Sequence, residues 1–268
     1  RPVDLLILAW LGGVLGPYLW MFITSITPPA DLATSAEHIW PENPSIQSYI
    51  DLLADTAFLQ YALNSLLVAG GTVILTTFFA LLAGTALSRY RFRGRTAVLY
   101  GVLLVQLFPT ILLIVPLYIE LKTVGLLNTK LGLVIVYTAF ALSFSIWLMK
   151  GFYDTVPWEI EIAGVQDGAS RFTVWRKLVL PQVRPGLFAL GLCSVIDGWN
   201  EFILPQVLAP RSDVQVLSVY LAGLIADDSR FDFNLFKAVG LFYVMPVTII
   251  YLVFQNRLMS IYGGGTKG

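Results

Sequence analysis

Six apolar stretches dominate the chain, at residues 5–26, 59–87, 97–119, 131–149, 186–209 and 238–254. Each approaches or exceeds the roughly 20 residues a helix needs to cross a bilayer core of about 30 Å. They are separated by polar intervals rich in proline, glycine and charge. Only 13% of the 268 residues are charged and 57% are apolar; soluble domains carry roughly twice that charge fraction. The pattern predicts an all-α integral membrane protein with six transmembrane helices, organised as a single transmembrane domain over residues 1–268.

Other classes are disfavoured by the same composition. A net charge of zero argues against nucleic acid as a partner. The single cysteine, Cys193, lies inside a span and can form no intrachain disulfide; it reads as a small buried apolar residue. The one histidine, His38, sits in a polar loop, and no metal-ligand cluster exists. The chain starts at Arg1 rather than Met, which fits a short preceding segment. No small-residue cleavage site follows the first apolar stretch, so a cleavable signal peptide is not expected.

The longest interval between apolar stretches runs from residue 150 to 185, and its polar part, 157–185, cannot sit in a bilayer. It reads as two short helices joined by a tight turn. Pro157 suits a first helical position, and Glu159 and Glu161 favour a helix N-terminus. Trp158, Ile162, Val165 and Ala169 form one stripe at helical spacing. Gly168 suits a left-handed C-cap and Ser170 a second N-cap. Arg176 and Lys177 fall in the last turn before Pro181, which is expected to end the second helix. Two further amphipathic helices are expected outside the spans, one over Ile46, Tyr49, Ile50 and Leu53, the other over Leu217, Tyr220, Leu221 and Leu224.

Six spans put both termini on one side, and the distribution of Lys and Arg orients them. One side holds twelve basic residues, including Arg89, Arg91, Arg93, Arg95 and the four within 157–185; the other holds five. The basic side, with both termini and residues 157–185, is expected to face the cytoplasm.

The order E-I-A-G-V-Q-D-G-A, followed by Leu180, Pro181 and Pro185, resembles the Glu-Ala-Ala loop of ATP-binding-cassette importer permeases. Glu161, Ala163, Asp167, Gly168 and Ala169 match it. Ile162 stands where that family has glutamate, so Glu161 is one place early, and Gly164 replaces the second alanine. The resemblance extends over about residues 60–268. The run from Asn64 to Arg95, IVPLY with GLLNT, WNEF, and the terminal YGGGTKG are similar to permeases of maltose-type and glycerol-phosphate-type importers.

The resemblance implies a type I importer permease fold with cytoplasmic coupling helices. Glu161, Ile162, Ala163, Asp167, Gly168 and Ala169 would then dock on an ATPase. It further implies a second homologous permease subunit, an ATPase dimer that binds ATP and Mg²⁺, and an extracytoplasmic solute-binding protein. The setting would be a bacterial or archaeal inner membrane, with lipid around the spans. The tail would reach into the ATPase dimer. No cofactor is expected in this chain: GGGTKG lacks the full G-x-x-x-x-G-K-[ST] pattern and no strand precedes it.

Polar residues inside the spans mark the candidate solute path. Asp197 and Glu201 stand four apart and are expected on one helix face, with Asn200 beside them. An ionised carboxylate at mid-membrane costs roughly 2.5–3.5 kcal/mol, so such groups face protein or a water-filled cavity. Gln106, near the helix-breaking Pro109, and Tyr118, near the outer end of its span, complete the set. Acceptors of this kind suit sugar or polyol hydroxyls. The competing reading is an autonomous proton-coupled secondary transporter using Asp197 and Glu201.

Overall fold

The computed structural model describes residues 2–28, 31, 40–226 and 233–263, and no strand occurs among them. His38 and tail residues 264–268 lie outside the described residues. In chain order the first helix, α1, is Pro2–Ser25, over the first predicted span. The surface helix α2 is Gln47–Ala54, as the spacing of Ile46, Tyr49, Ile50 and Leu53 predicts. The second span is α3, Thr56–Arg89, unbroken by proline over 34 residues. At 1.5 Å per residue it runs for about 51 Å, so its ends project beyond a hydrocarbon core of about 30 Å.

The third predicted span is broken. Helix α4, Arg95–Val105, and helix α5, Thr110–Thr123, meet at 98°. Pro109 accounts for the break: it has no N–H to donate, and its ring pushes Phe108 out of the helical region. Gln106, Leu107 and Phe108 close tight turns on the carbonyls of Leu103, Leu104 and Val105 instead. The fourth span, α6, is Lys130–Asp154, started by the Thr129 hydroxyl accepting from the Gly132 N–H at 2.9 Å.

Residues 157–185 form the expected pair of short helices. The first, α7, is Trp158–Gln166. Pro157 occupies the N-cap, one residue earlier than expected, with φ −57° and ψ 135°. The second begins as α8, Arg171–Val174, capped by the Ser170 hydroxyl accepting from the Thr173 N–H at 3.2 Å. Pro181 does not end it. A π-turn over Trp175–Val179 shifts the hydrogen-bond register, and the helix runs through Pro181 as α9, Leu180–Gln182. A π-turn widens the backbone just ahead of the proline, where an α-helix would place the ring against a carbonyl.

The fifth predicted span, 186–209, is also divided. Helix α10 is Arg184–Asn200, and the chain leaves the helix at Glu201 before resuming as α11, Ile203–Leu208. The remaining helices are α12, Leu217–Ala226, as its apolar spacing predicts, and α13, Phe233–Gly263, over the last span. By length and composition three of the described helices, α3, α6 and α13, can cross a membrane; counting α4 with α5, and Arg171–Gln182 with α10 across a 68° bend, as one span each gives up to five, against the six expected.

The chain divides into two compact units. One comprises Arg1–Leu63 and Gln215–Thr248. Within it the Ser25 and Tyr49 hydroxyls lie 2.6 Å apart, and Asn234 Nδ2 donates to the Thr27 carbonyl at 2.8 Å. Phe58 packs edge-on against Phe242 with ring centroids 5.0 Å apart. The Tyr220 hydroxyl donates to Asp55 at 3.3 Å; burial first, then the Asp55 carboxylate, push its pKa up to about 12, so it remains a donor at physiological pH.

The other unit comprises Asn64–Val214 and Ile249–Gly268. Its core joins Ala80 of α3, Met149 and Tyr153 of α6, Val156, Val179, Val183 and Leu190 of α10. That core welds the 157–185 pair to three spans. Small residues permit the close approach: a Cβ on Gly84 would meet Met149 Cβ at 2.9 Å and the Lys150 backbone nitrogen at 3.2 Å. Gly84→Val is therefore expected to cost about 1–3 kcal/mol through overpacking. A lower yield of monodisperse protein in detergent would register it, with Gly191→Ala as the neutral control, since nothing lies within 4 Å of a Cβ there.

Candidate functional site

A cavity of about 410 Å³ opens beside the breaks in the third and fifth spans. Asp197, Asn200, Glu201 and Gln106, all expected on the solute path, line it together. Tyr118 does not: it lies on α5 away from the lining set. The break at Pro109 brings Gln106 and Thr110 to the wall, and the break at Glu201 ends α10 there. Sequence reasoning missed Thr72, Tyr137 and Ser194. Ser194 was readable, since it stands three residues before Asp197 on one helix face. Thr72 and Tyr137 arrive from other spans, and only tertiary packing places them.

Glu201 does not continue the face begun by Asp197, because it has left the helix, with φ −66° and ψ 127°. Its Oε1 accepts from the Ile203 N–H at 3.1 Å and the Leu204 N–H at 3.2 Å. Those amides open α11 and have no partner within it. The carboxylate thus holds the break together. Asn200 Nδ2 donates to the Ile196 carbonyl at 2.9 Å, which fixes the amide at the cavity edge. Asp197 is exposed to the cavity. Phe140 and Phe144 supply an aromatic wall. Carboxylate, amide and hydroxyl groups beside aromatic faces make a surface that can bind a hydroxyl-rich solute through both its polar edges and its apolar faces.

The second feature is the helix pair at residues 157–185. Trp158, Ile162 and Val165 are each more than 40% exposed, so the predicted stripe faces outward, with Ala169 half-buried at its end. Ala163 and Asp167 are also exposed. Gly168 has φ 87°, and the backbone closes both bonds of a Schellman turn: Gly168 N–H to the Val165 carbonyl at 3.0 Å, Ala169 N–H to the Gly164 carbonyl at 3.1 Å. Gly164 lies at the contact of the two helices. A Cβ there would meet Val174 at 2.8 Å and Leu178 at 2.9 Å, which explains glycine where an alanine was expected.

Glu161 turns inward. Its Oε1 lies 2.5 Å from Arg89 Nε at the end of α3, an ion pair without hydrogen-bond alignment. Arg89 Nη2 also donates to the Val156 carbonyl at 2.9 Å. Among the described residues no group of His, Cys, Asp or Glu is placed to hold a metal.

Broken apolar helices around a polar cavity, welded to an amphipathic helix pair, define a membrane transport permease. Residues 56–259 match the family described as the binding-protein-dependent transport system inner membrane component. The chain belongs to that family, and is an integral inner-membrane permease of the ATP-binding-cassette importer type. It is similar to the diacetylchitobiose uptake system permease protein NgcG of Streptomyces coelicolor, at 31% identity over 97% of this chain and 86% of the relative. It is also similar to the maltodextrin transport system permease protein MdxG of Bacillus subtilis, at 30% identity over 81% and 78%. Among solved structures, a bacterial ABC transporter involved in import of the acidic polysaccharide alginate matches with a TM-score of 0.83, at 24% identity over 94% of each chain. That likeness is one of fold.

Proposed function

We propose that this chain forms half of the translocation path of an ATP-driven importer for a sugar, polyol or related solute. A second permease supplies the other half, and a separate ATPase dimer binds the ATP and Mg²⁺. Both termini and residues 157–185 face the cytoplasm, and an extracytoplasmic binding protein delivers solute from the other side. The observation that carries the reading is the cavity: Asp197, Asn200, Gln106 and Ser194 converge on one space with an aromatic wall. The diacetylchitobiose and maltodextrin permeases among the relatives support a saccharide. In the mechanism, closure of the ATPase dimer moves residues 157–185, and the attached spans change which side of the membrane the cavity faces.

The role of Glu201 as a backbone acceptor weighs against the proton-coupled alternative, which would need that carboxylate as a carrier. Uptake into proteoliposomes separates the two. ATP with the ATPase present is expected to drive import, and a proton gradient without the ATPase is not. In the same assay, Asp197→Ala with Asn200→Ala is expected to lower uptake at limiting solute roughly tenfold or more. A charge-assisted hydrogen bond is worth about 1.5–3 kcal/mol and tenfold corresponds to about 1.4 kcal/mol. Unchanged uptake in that variant would remove both residues from the path.

A further inference from the structure

We infer that Arg89 is the positioning residue that ties the helix pair at 157–185 to the solute cavity, with Glu161 as its counter-charge. The inference rests on the importer reading above, and concerns how force reaches the cavity. Arg89 meets the loop on three sides. Nη2 donates to the Val156 carbonyl at 2.9 Å, Nε pairs with Glu161 at 2.5 Å, and the guanidinium lies 5.7 Å from the centre of the Trp158 ring. One turn earlier, the Thr85 hydroxyl accepts from Trp175 Nε1 of the second short helix at 3.1 Å. Between them, Ser88 Oγ donates to Asp154 at the end of α6 at 2.6 Å. The last turn and a half of α3 therefore holds the loop's entry and both of its helices.

Arg89 and Glu161 line a groove of about 560 Å³ together with Ile162 and Val165 of α7 and Thr85 and Ala86 of α3. The pair is largely withdrawn from solvent, with Arg89 9% and Glu161 19% exposed in their side chains. Removing one partner of a withdrawn pair is costly because the other charge is left without compensation. Farther along the same helix, Thr72 lines the cavity. From Arg89 to Thr72 is about 25 Å of continuous helix with no proline. A displacement of α7 passes through Arg89 into a rod whose far part is a wall of the solute path.

Three features make arginine specific here. Its planar fork can reach a carbonyl and a carboxylate at once while its face lies against an aromatic ring; lysine offers a single point charge. Arg89→Lys is therefore a disruptive change at this position. Glu161→Gln keeps the shape of the side chain and removes only the charge, so the cost falls on the tether, while the core of Ala80, Met149, Tyr153 and Leu190 does not include this residue.

Two measurements test the inference. In the full chain, hydrogen exchange of residues 158–166 is expected to accelerate in Glu161→Gln and in Arg89→Lys. In the reconstituted complex, ATP hydrolysed per solute imported is expected to rise about fivefold or more in both variants, the scale of a coupling free energy between distant sites. Arg89→Glu alone is expected to raise the ratio likewise, and the double exchange Arg89→Glu with Glu161→Arg is expected to reverse part of that rise. A merely structural role would lower protein yield without changing the ratio of the protein that remains. Unchanged exchange in both variants, or an unchanged ratio in both variants when the wild-type complex imports, overturns the tether. Accelerated exchange together with a wild-type complex that shows no ATP-driven uptake would leave the tether standing and remove the importer reading instead.

Discussion

Gly168→Pro is expected to abolish ATP-driven uptake while leaving the spans folded. Gly168 sits at φ 87°, far from the −65° to which proline is fixed, and its N–H closes the Schellman turn on Val165. The substitution removes that bond and the backbone conformation together, at a cost of about 3 kcal/mol or more. Because the turn lies outside the core formed by Ala80, Met149, Tyr153 and Leu190, the damage stays in the helix pair. Gly168→Ala separates conformation from crowding. Nothing lies within 4 Å of its Cβ, so only the left-handed backbone opposes it, by about 1–2 kcal/mol. Intermediate uptake is expected there, measured in vesicles beside the proline variant.

Glu201→Leu is expected to sharply lower the yield of folded protein, whereas Glu201→Gln is expected to fold and transport. The leucine leaves the Ile203 and Leu204 N–H groups without their acceptor. The Leu204 bond is partly buried, and a donor stranded away from water costs about 1–3 kcal/mol, while non-helical backbone at membrane depth persists only where its polar groups are met. Glutamine retains an oxygen in the same place. Thermal unfolding in detergent and uptake in vesicles report the two properties separately. Loss of transport in a well-folded Glu201→Gln protein would give the charge itself a role and revive the proton-coupled alternative.

The two breaks that build the cavity were unequally legible in the sequence. Pro109 marks the first, because proline disfavours a helical conformation at the residue before it, although Pro17, Pro116 and Pro246 lie inside helices and show that the signal is not decisive. The second is marked less directly, by Pro205 in the first turn of α11, which cannot donate to the Glu201 carbonyl four residues earlier and whose ring would crowd it in a continuous helix. The two amide contacts then show that Glu201 caps the new helix. The helix pair at 157–185 was legible for the opposite reason: Ser170 and Gly168 act through local backbone chemistry that neighbours cannot change. Pro181 misled, because a π-turn upstream absorbs the missing hydrogen bond. The direction of Glu161 was also hidden. Its partner Arg89 is 72 positions earlier in sequence, and the basic turn of Arg89, Arg91, Arg93 and Arg95 gives no sign that one arginine folds back while another, Arg91, stays exposed.

If the outward face of α7 receives force from an ATPase, cross-linking should join the two. With Cys193 replaced by serine, Val165→Cys places one thiol in the middle of the exposed stripe. A bifunctional thiol reagent should join that position to the ATPase subunit in the assembled complex and stop uptake, while Glu120→Cys at the far end of α5 should join to nothing on the ATPase. Efficient cross-linking at Glu120 with none at Val165 would contradict the account.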